Sequence, residues 1–124
     1  MRLTVLAIAI TAFCLPFAAT AADLAGSWQR STGNSRIRFE PCEGGLCGKI
    51  AWIKPGVKSR AHVGQAVFNK LTRAGETLWT GEAFNPEDGR TYKGSVSVDG
   101  RTLVTKGCVL GGLICKSETW KRVD

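Results

Sequence analysis

From Gly26 onward the chain alternates apolar and polar residues over short stretches, each closed by Gly, Pro, Asn or Asp. Successive side chains of an extended strand point to opposite faces, so alternation of period two marks a half-buried strand, and the closing residues are those that turns require. Ser35–Glu40 sets Ile37 and Phe39 against Arg36, Arg38 and Glu40, and Thr91–Val98 sets Tyr92, Val96 and Val98 against Lys93, Ser95 and Ser97. Leu46–Ile53 places Leu46, Ile50 and Trp52 on one face and Lys49 on the other. Gly26–Arg30, Gln65–Leu71, Thr77–Phe84, Arg101–Cys108 and Cys115–Val123 read as further strands. Asp99-Gly100 fits a two-residue hairpin turn of the primed type. In Asn85-Pro86-Glu87-Asp88-Gly89, Pro presets one turn dihedral and Gly permits a positive one. The polar stretch Lys54–Gly64 is the longest loop.

Eight short strands joined mostly by tight turns predict an all-β fold, an eight-stranded antiparallel up-and-down barrel with no free sheet edge. A two-sheet sandwich is the alternative. Val63–Leu71 also fits a helix with Val63, Ala66, Val67 and Leu71 on one face, but strand is the reading adopted.

The first residues follow a different pattern. Arg2 precedes the apolar run Leu3–Phe17, and Ala19-Thr20-Ala21 has the small-x-small form of a signal-peptidase site. The run of 15 residues falls short of the roughly 20 that span a bilayer. Residues 1–21 therefore read as a signal peptide cleaved near Ala21/Ala22, and residues 22–124 as a single domain, exported to the periplasm or secreted. A lipid anchor at Cys14 is disfavoured by the bulky Phe13 before it. No transmembrane segment is expected.

Export changes the meaning of the cysteines. Cys42, Cys47, Cys108 and Cys115 remain after cleavage, and an even number in a small exported chain reads as a disulfide framework. Each pair brackets a Gly-Gly turn between strand-like runs, and directly opposed residues of a hairpin lie within disulfide range. Cys42–Cys47 and Cys108–Cys115 are the expected bonds, each clamping a hairpin. Zinc is the competing use, but gaps of four and six residues and the absence of a nearby histidine do not suit it. No Cys-x-x-Cys is present to suggest redox work. Neither a metal nor a cofactor is expected.

Charge adds little. Removing Arg2 leaves 16 Lys plus Arg against 10 Asp plus Glu, a net +6, scattered without a basic run. Weak attraction to acidic envelope components is the functional version of that scatter, with Arg36, Arg38 and Lys49 as its outer-face cations. No nucleic-acid motif is present, so no nucleic-acid partner is expected.

Gly26-Ser27-Trp28 on the first strand and Trp120-Lys121-Arg122 on the last together resemble the calycin plan of lipocalins and fatty-acid-binding proteins, in which a basic residue lies over the first tryptophan. Pro41–Trp52, Asn85–Tyr92 and Glu118–Val123 resemble, more closely, the bacterial domain-of-unknown-function family 2147. That resemblance implies an exported lipocalin-like barrel and no established activity. The segment between Trp52 and Trp79 is shorter here than the family pattern.

Catalytic candidates are sparse. His62, the single histidine, sits in the long loop with no identifiable partner to orient it. None of the seven serines after the leader lies in a nucleophile elbow. Glu87 and Asp88 are adjacent carboxylates that the turn itself explains. The expectation is a non-enzymatic, monomeric binding module for a small apolar or amphipathic molecule, with an envelope interaction protein as the alternative. Trp28, Trp52, Trp79 and Trp120 fit a packed barrel interior, the safer expectation for strands this short; in the alternative, Trp52, Phe68, Trp79, Phe84 and Tyr92 line an open cavity near one mouth.

Overall fold

A computed structural model describes residues 2–5, 7–11 and 23–124. Its strands close into a barrel in sequence order: β1 (Gly26–Arg30), β2 (Ser35–Cys42), β3 (Gly45–Ile53), β4 (Ala66–Arg73), β5 (Leu78–Asn85), β6 (Arg90–Asp99), β7 (Thr102–Val109) and β8 (Ile114–Arg122). All neighbours are antiparallel, and β1 meets β8 through Trp28↔Arg122 and Arg30↔Trp120. The up-and-down barrel expected from alternation is the fold, and the sandwich is not. Cys14 and the expected cleavage point at Ala21/Ala22 lie outside the described residues.

Alternation delivers the inner layer. Trp28, Ile37, Phe39, Phe68, Leu71, Val96 and Leu103 are buried in one cluster, with Leu24 fully buried as it enters β1. Burying an indole leaves its N–H to be satisfied. Trp28 donates to the Leu24 carbonyl (3.0 Å) and Trp120 to Thr105 Oγ1 (3.0 Å), the latter threonine being a buried polar residue. Arg122 lies 4.2 Å over the Trp28 ring and donates to the carbonyls of Ala25 (2.8 Å) and Asp23. One guanidinium thus joins the last strand to the entry of the first, in the arrangement that the end motifs foretold.

Among the bulges that break the alternation, two change which face a residue takes. On β4 the register moves from Asn69↔Glu82 to Thr72↔Thr80, so Lys70 and Leu71 share a single partner position at Gly81. Lys70 takes φ 53°, and a Cβ on Gly81 would stand 2.6 Å from the carbonyl oxygens of both Asn69 and Lys70. The bulge brings Phe68 and Leu71, three apart, to the same buried side. On β3, Ile37 faces Ile50 but Arg36 faces Trp52, leaving Ala51 as the extra residue. Trp52 therefore joins Arg36 on the outer face, not Leu46 and Ile50 on the inner.

The barrel has two ends. Hairpins β2–β3, β4–β5 and β6–β7 cluster at one, with Asp23 and Leu24 entering there and Arg122 closing it. The turns β1–β2, β5–β6 and β7–β8 form the other, together with the long loop after Ile53; this is the loop end.

Candidate functional site

The aromatic residues expected to share one cavity are dispersed. Phe68 sits deep inside, its ring 5.8 Å from that of Phe39. Tyr92 is inner-facing at the loop end, where it pairs with Ala83 and donates its hydroxyl to Asp88. Trp52 is outside, with the Arg36 guanidinium 5.0 Å from its ring and Arg36 Nε held by Gln29 (2.9 Å). Phe84 pairs with Thr91, one step out of phase with buried Ala83, and so faces outward as well. The expectation failed on parity: Trp79 and Phe84 are five residues apart on one strand and cannot point the same way.

Of the five, Trp79 borders the open space at the Arg122 end. It is 7% exposed and borders two adjoining cavities at the Arg122 end. One, of about 280 Å³, is walled also by Asp23, Glu76, Val98 and Arg122. The other, of about 360 Å³, is walled by Pro41, Leu46, Leu71 and Arg73 and is the more apolar. Unlike Trp28 and Trp120, Trp79 donates its indole N–H to no acceptor among the described residues. Arg73 pairs with Trp79 across the β4–β5 hairpin and places its guanidinium 5.5 Å from the ring. Its position is fixed by the turn: Nε donates to the Gly75 carbonyl (2.9 Å) and a terminal nitrogen to that of Glu76. The site so formed is an apolar wall whose rim carries two cations, Arg73 and Arg122, and two carboxylates, Asp23 and Glu76.

Sequence reasoning found Trp79 and missed Arg73, Leu46, Leu71 and Arg122 as its neighbours. Arg73 was findable, since it and Trp79 flank the Ala74-Gly75 turn of one hairpin. Leu71 was not, because its inward direction depends on the Lys70 bulge.

The polar candidates are occupied by structure. Glu87 accepts from Ser59 Oγ (2.6 Å) and the Arg60 amide (3.2 Å), while Arg60 Nη1 donates to the Glu87 carbonyl (3.3 Å). These bonds clasp the long loop to the β5–β6 turn, and the Ser59 hydroxyl, then the Arg60 amide, hold the Glu87 carboxyl below its usual range. Asp88 is lowered chiefly by the Tyr92 hydroxyl, which is raised in return. His62 is exposed, and its amide donates to Gln65 Oε1 (3.2 Å). Of the outer-face cations, Arg36 is engaged with Trp52, and Lys49 pairs with Glu40 at 3.0 Å.

Both expected disulfides are present, Cys42–Cys47 and Cys108–Cys115. Only the second joins directly opposed residues; Cys42 faces Gly45 and Cys47 faces Glu40, so the first runs diagonally across its turn. No helix among the described residues is long and apolar enough to cross a membrane.

Comparison with known proteins agrees with this architecture. The sequence model of a family described as "Uncharacterized protein conserved in bacteria (DUF2147)" matches residues 26–122. No curated protein matches the chain. Among solved structures, protein HP1028 from the human pathogen Helicobacter pylori, described as belonging to the lipocalin family, superposes with a TM-score of 0.66 at 21% identity, covering 82% of this chain and 83% of that one. At that identity the likeness is one of fold.

Proposed function

The chain belongs to the DUF2147 family of uncharacterised bacterial proteins, and from that footing we propose that it is an exported, monomeric, non-enzymatic module that binds one small apolar or amphipathic molecule beside Trp79. The observation that carries this reading is Trp79 itself, a tryptophan 7% exposed that borders two open clefts and whose indole N–H, without a partner among the described residues, reaches solvent there. Ligand pockets combine apolar walls with a few placed polar groups. Leu46, Leu71 and Pro41 supply the wall of the more apolar space, where Arg73 is the charged group, while Arg122 beside it is offset by Asp23 and Glu76. A short apolar body with an anionic end suits Leu46, Leu71 and Arg73 together. Volumes of about 280 and 360 Å³ lie just below and just inside the usual range of about 300–1,000 Å³, which favours a ligand well below the size of a long-chain lipid. Two disulfides fit an oxidising compartment and so support export.

Competition between anilinonaphthalene sulfonate and octanoate tests the site. Octanoate displaces the dye saturably, and Arg73→Gln weakens octanoate about fivefold while leaving octanol unchanged. Saturable binding that ignores both Arg73→Gln and Trp79→Phe places the ligand elsewhere and rejects the proposal.

A further inference from the structure

The six residues Val109–Ile114 at the tip of the β7–β8 hairpin include four large aliphatic side chains and no polar one. All four are exposed: Leu113 at 86%, Leu110 at 68%, Ile114 at 58% and Val109 at 36%. From residue 23 onward the other exposed large hydrophobics are the isolated Val63 and Val123. Scattered single exposures are ordinary, whereas a cluster marks a contact surface.

The tip projects from the barrel end. β1 ends at Arg30, opposite Trp120, and the Ser31 amide makes the last bond to Thr119, so the outer end of β8 runs beyond the β1–β2 turn. A Cβ placed on Gly111 or Gly112 would meet nothing within 4 Å. Leu110, Gly111 and Gly112 all take positive φ, the Leu113 amide donates to the Leu110 carbonyl (3.3 Å), and Cys108–Cys115 closes the base. Leu110 is thereby held outward in a backbone region that side chains disfavour.

Charge decides what the tip meets. From Thr102 to Ser117 the hairpin holds no carboxylate, and Lys106 and Lys116, both exposed, flank the disulfide. Lys93 stands opposite Cys108 on the adjoining strand. Of the acids near Lys116, Glu87 is already bound by Ser59 and Arg60, and Glu118 pairs with Arg30. An apolar point with no polar side chain, with lysines at its base, matches a lipid interface, in which chains accept the aliphatics and anionic headgroups the lysines.

We propose that the Val109–Ile114 tip is a membrane-contact element that seats Leu110, Leu113 and Ile114 in the interface of an anionic bilayer, with Lys106 and Lys116 at headgroup level. It lies at the opposite end of the barrel from Trp79 and is independent of the ligand site.

Vesicle flotation tests this on protein purified after export, with intact mass recording whether residues 1–21 remain and all variants sharing one N-terminus. Wild type floats with vesicles of equal parts phosphatidylglycerol and phosphatidylethanolamine, far less with phosphatidylcholine, and salt weakens it. Leu110→Ser/Leu113→Ser binds at least about tenfold more weakly with an unchanged melting temperature. Lys106→Gln/Lys116→Gln binds several-fold more weakly and loses most of the salt dependence. Absence of flotation at low salt, or flotation indifferent to the serine changes, overturns the proposal. So does a concentration-dependent dimer that the serine changes abolish without any vesicle binding.

Discussion

The two disulfide hairpins are near twins in sequence and opposites in the fold. Each has a cysteine pair around a Gly-Gly turn, yet β2–β3 is built into the barrel wall while the tip of β7–β8 stands in solvent. Leu46 and Cys47 are buried, and a Cβ on Gly45 would lie 2.4 Å from the Leu71 carbonyl oxygen. At the other hairpin nothing lies within 4 Å of Gly111 or Gly112, and the aliphatics flanking them are exposed. The cysteines fix that each turn closes; what packs against the turn decides its use. The first hairpin forms one wall of the Trp79 site, and the second carries an apolar point outward.

Glycine replacement is the harshest way to break this contrast. Gly45→Ala combines φ 142° with a collision against Leu71 backbone and is expected to cost about 3 kcal/mol or more, whereas Gly111→Ala meets only the left-handed backbone penalty of about 1 kcal/mol. Urea unfolding of the two variants measures the gap, and equal losses would mean that the first hairpin is not packed as described. Truncation gives a slightly smaller contrast. Leu46→Ala should lose about 2–3 kcal/mol through cavity formation, and Leu113→Ala less than about 0.5 kcal/mol because its side chain is already in water.

Opening the disulfides sharpens the comparison from the unfolded side. Both rings are short, so each bond restrains the denatured chain by a similar amount, about 2–2.5 kcal/mol in the loop-entropy account. Cys108→Ser/Cys115→Ser should lose that and little else. Cys42→Ala/Cys47→Ala should lose more, because Cys47 is buried, and should also disturb the Trp79 fluorescence through Leu46. The smallest effect is on the loop end in acid. Glu87 is held below its usual value of 4.5, so its clasp on Ser59 and Arg60 is intact above that pH and is lost as pH falls through the lowered folded value. Amide exchange at Arg60 should rise over that acid range, while exchange in the β2–β3 hairpin stays flat; Glu87→Gln should show the faster exchange already at neutral pH.

These two hairpins also show what the sequence could and could not disclose. Strand number, order, barrel closure and cysteine partners follow from local alternation and turn chemistry, both of which are written residue by residue. The Trp28–Arg122 contact was legible because it joins two recognisable end motifs. The candidate site was legible only in Trp79. Trp52 was misplaced by the Ala51 bulge, Leu71 was hidden by the one at Lys70, and Phe84 and Tyr92 were assigned to a mouth that strand parity and register deny them. A bulge depends on which neighbour crowds the backbone, as Gly81 permits at Lys70, and that neighbour is distant in sequence. The exposed tip was legible as an apolar turn, but its exposure depends on β1 ending early beside β8.

The most direct test of the ligand site is an indole N–H correlation spectrum recorded during octanoate titration, with Trp79 assigned through Trp79→Phe. The four tryptophans stand in different settings, and the account predicts one saturable shift, at Trp79, with Trp28 and Trp120 still because their protons are held by Leu24 and Thr105. A saturable shift confined to Trp52, or none at any indole under conditions where octanoate binds, would contradict it.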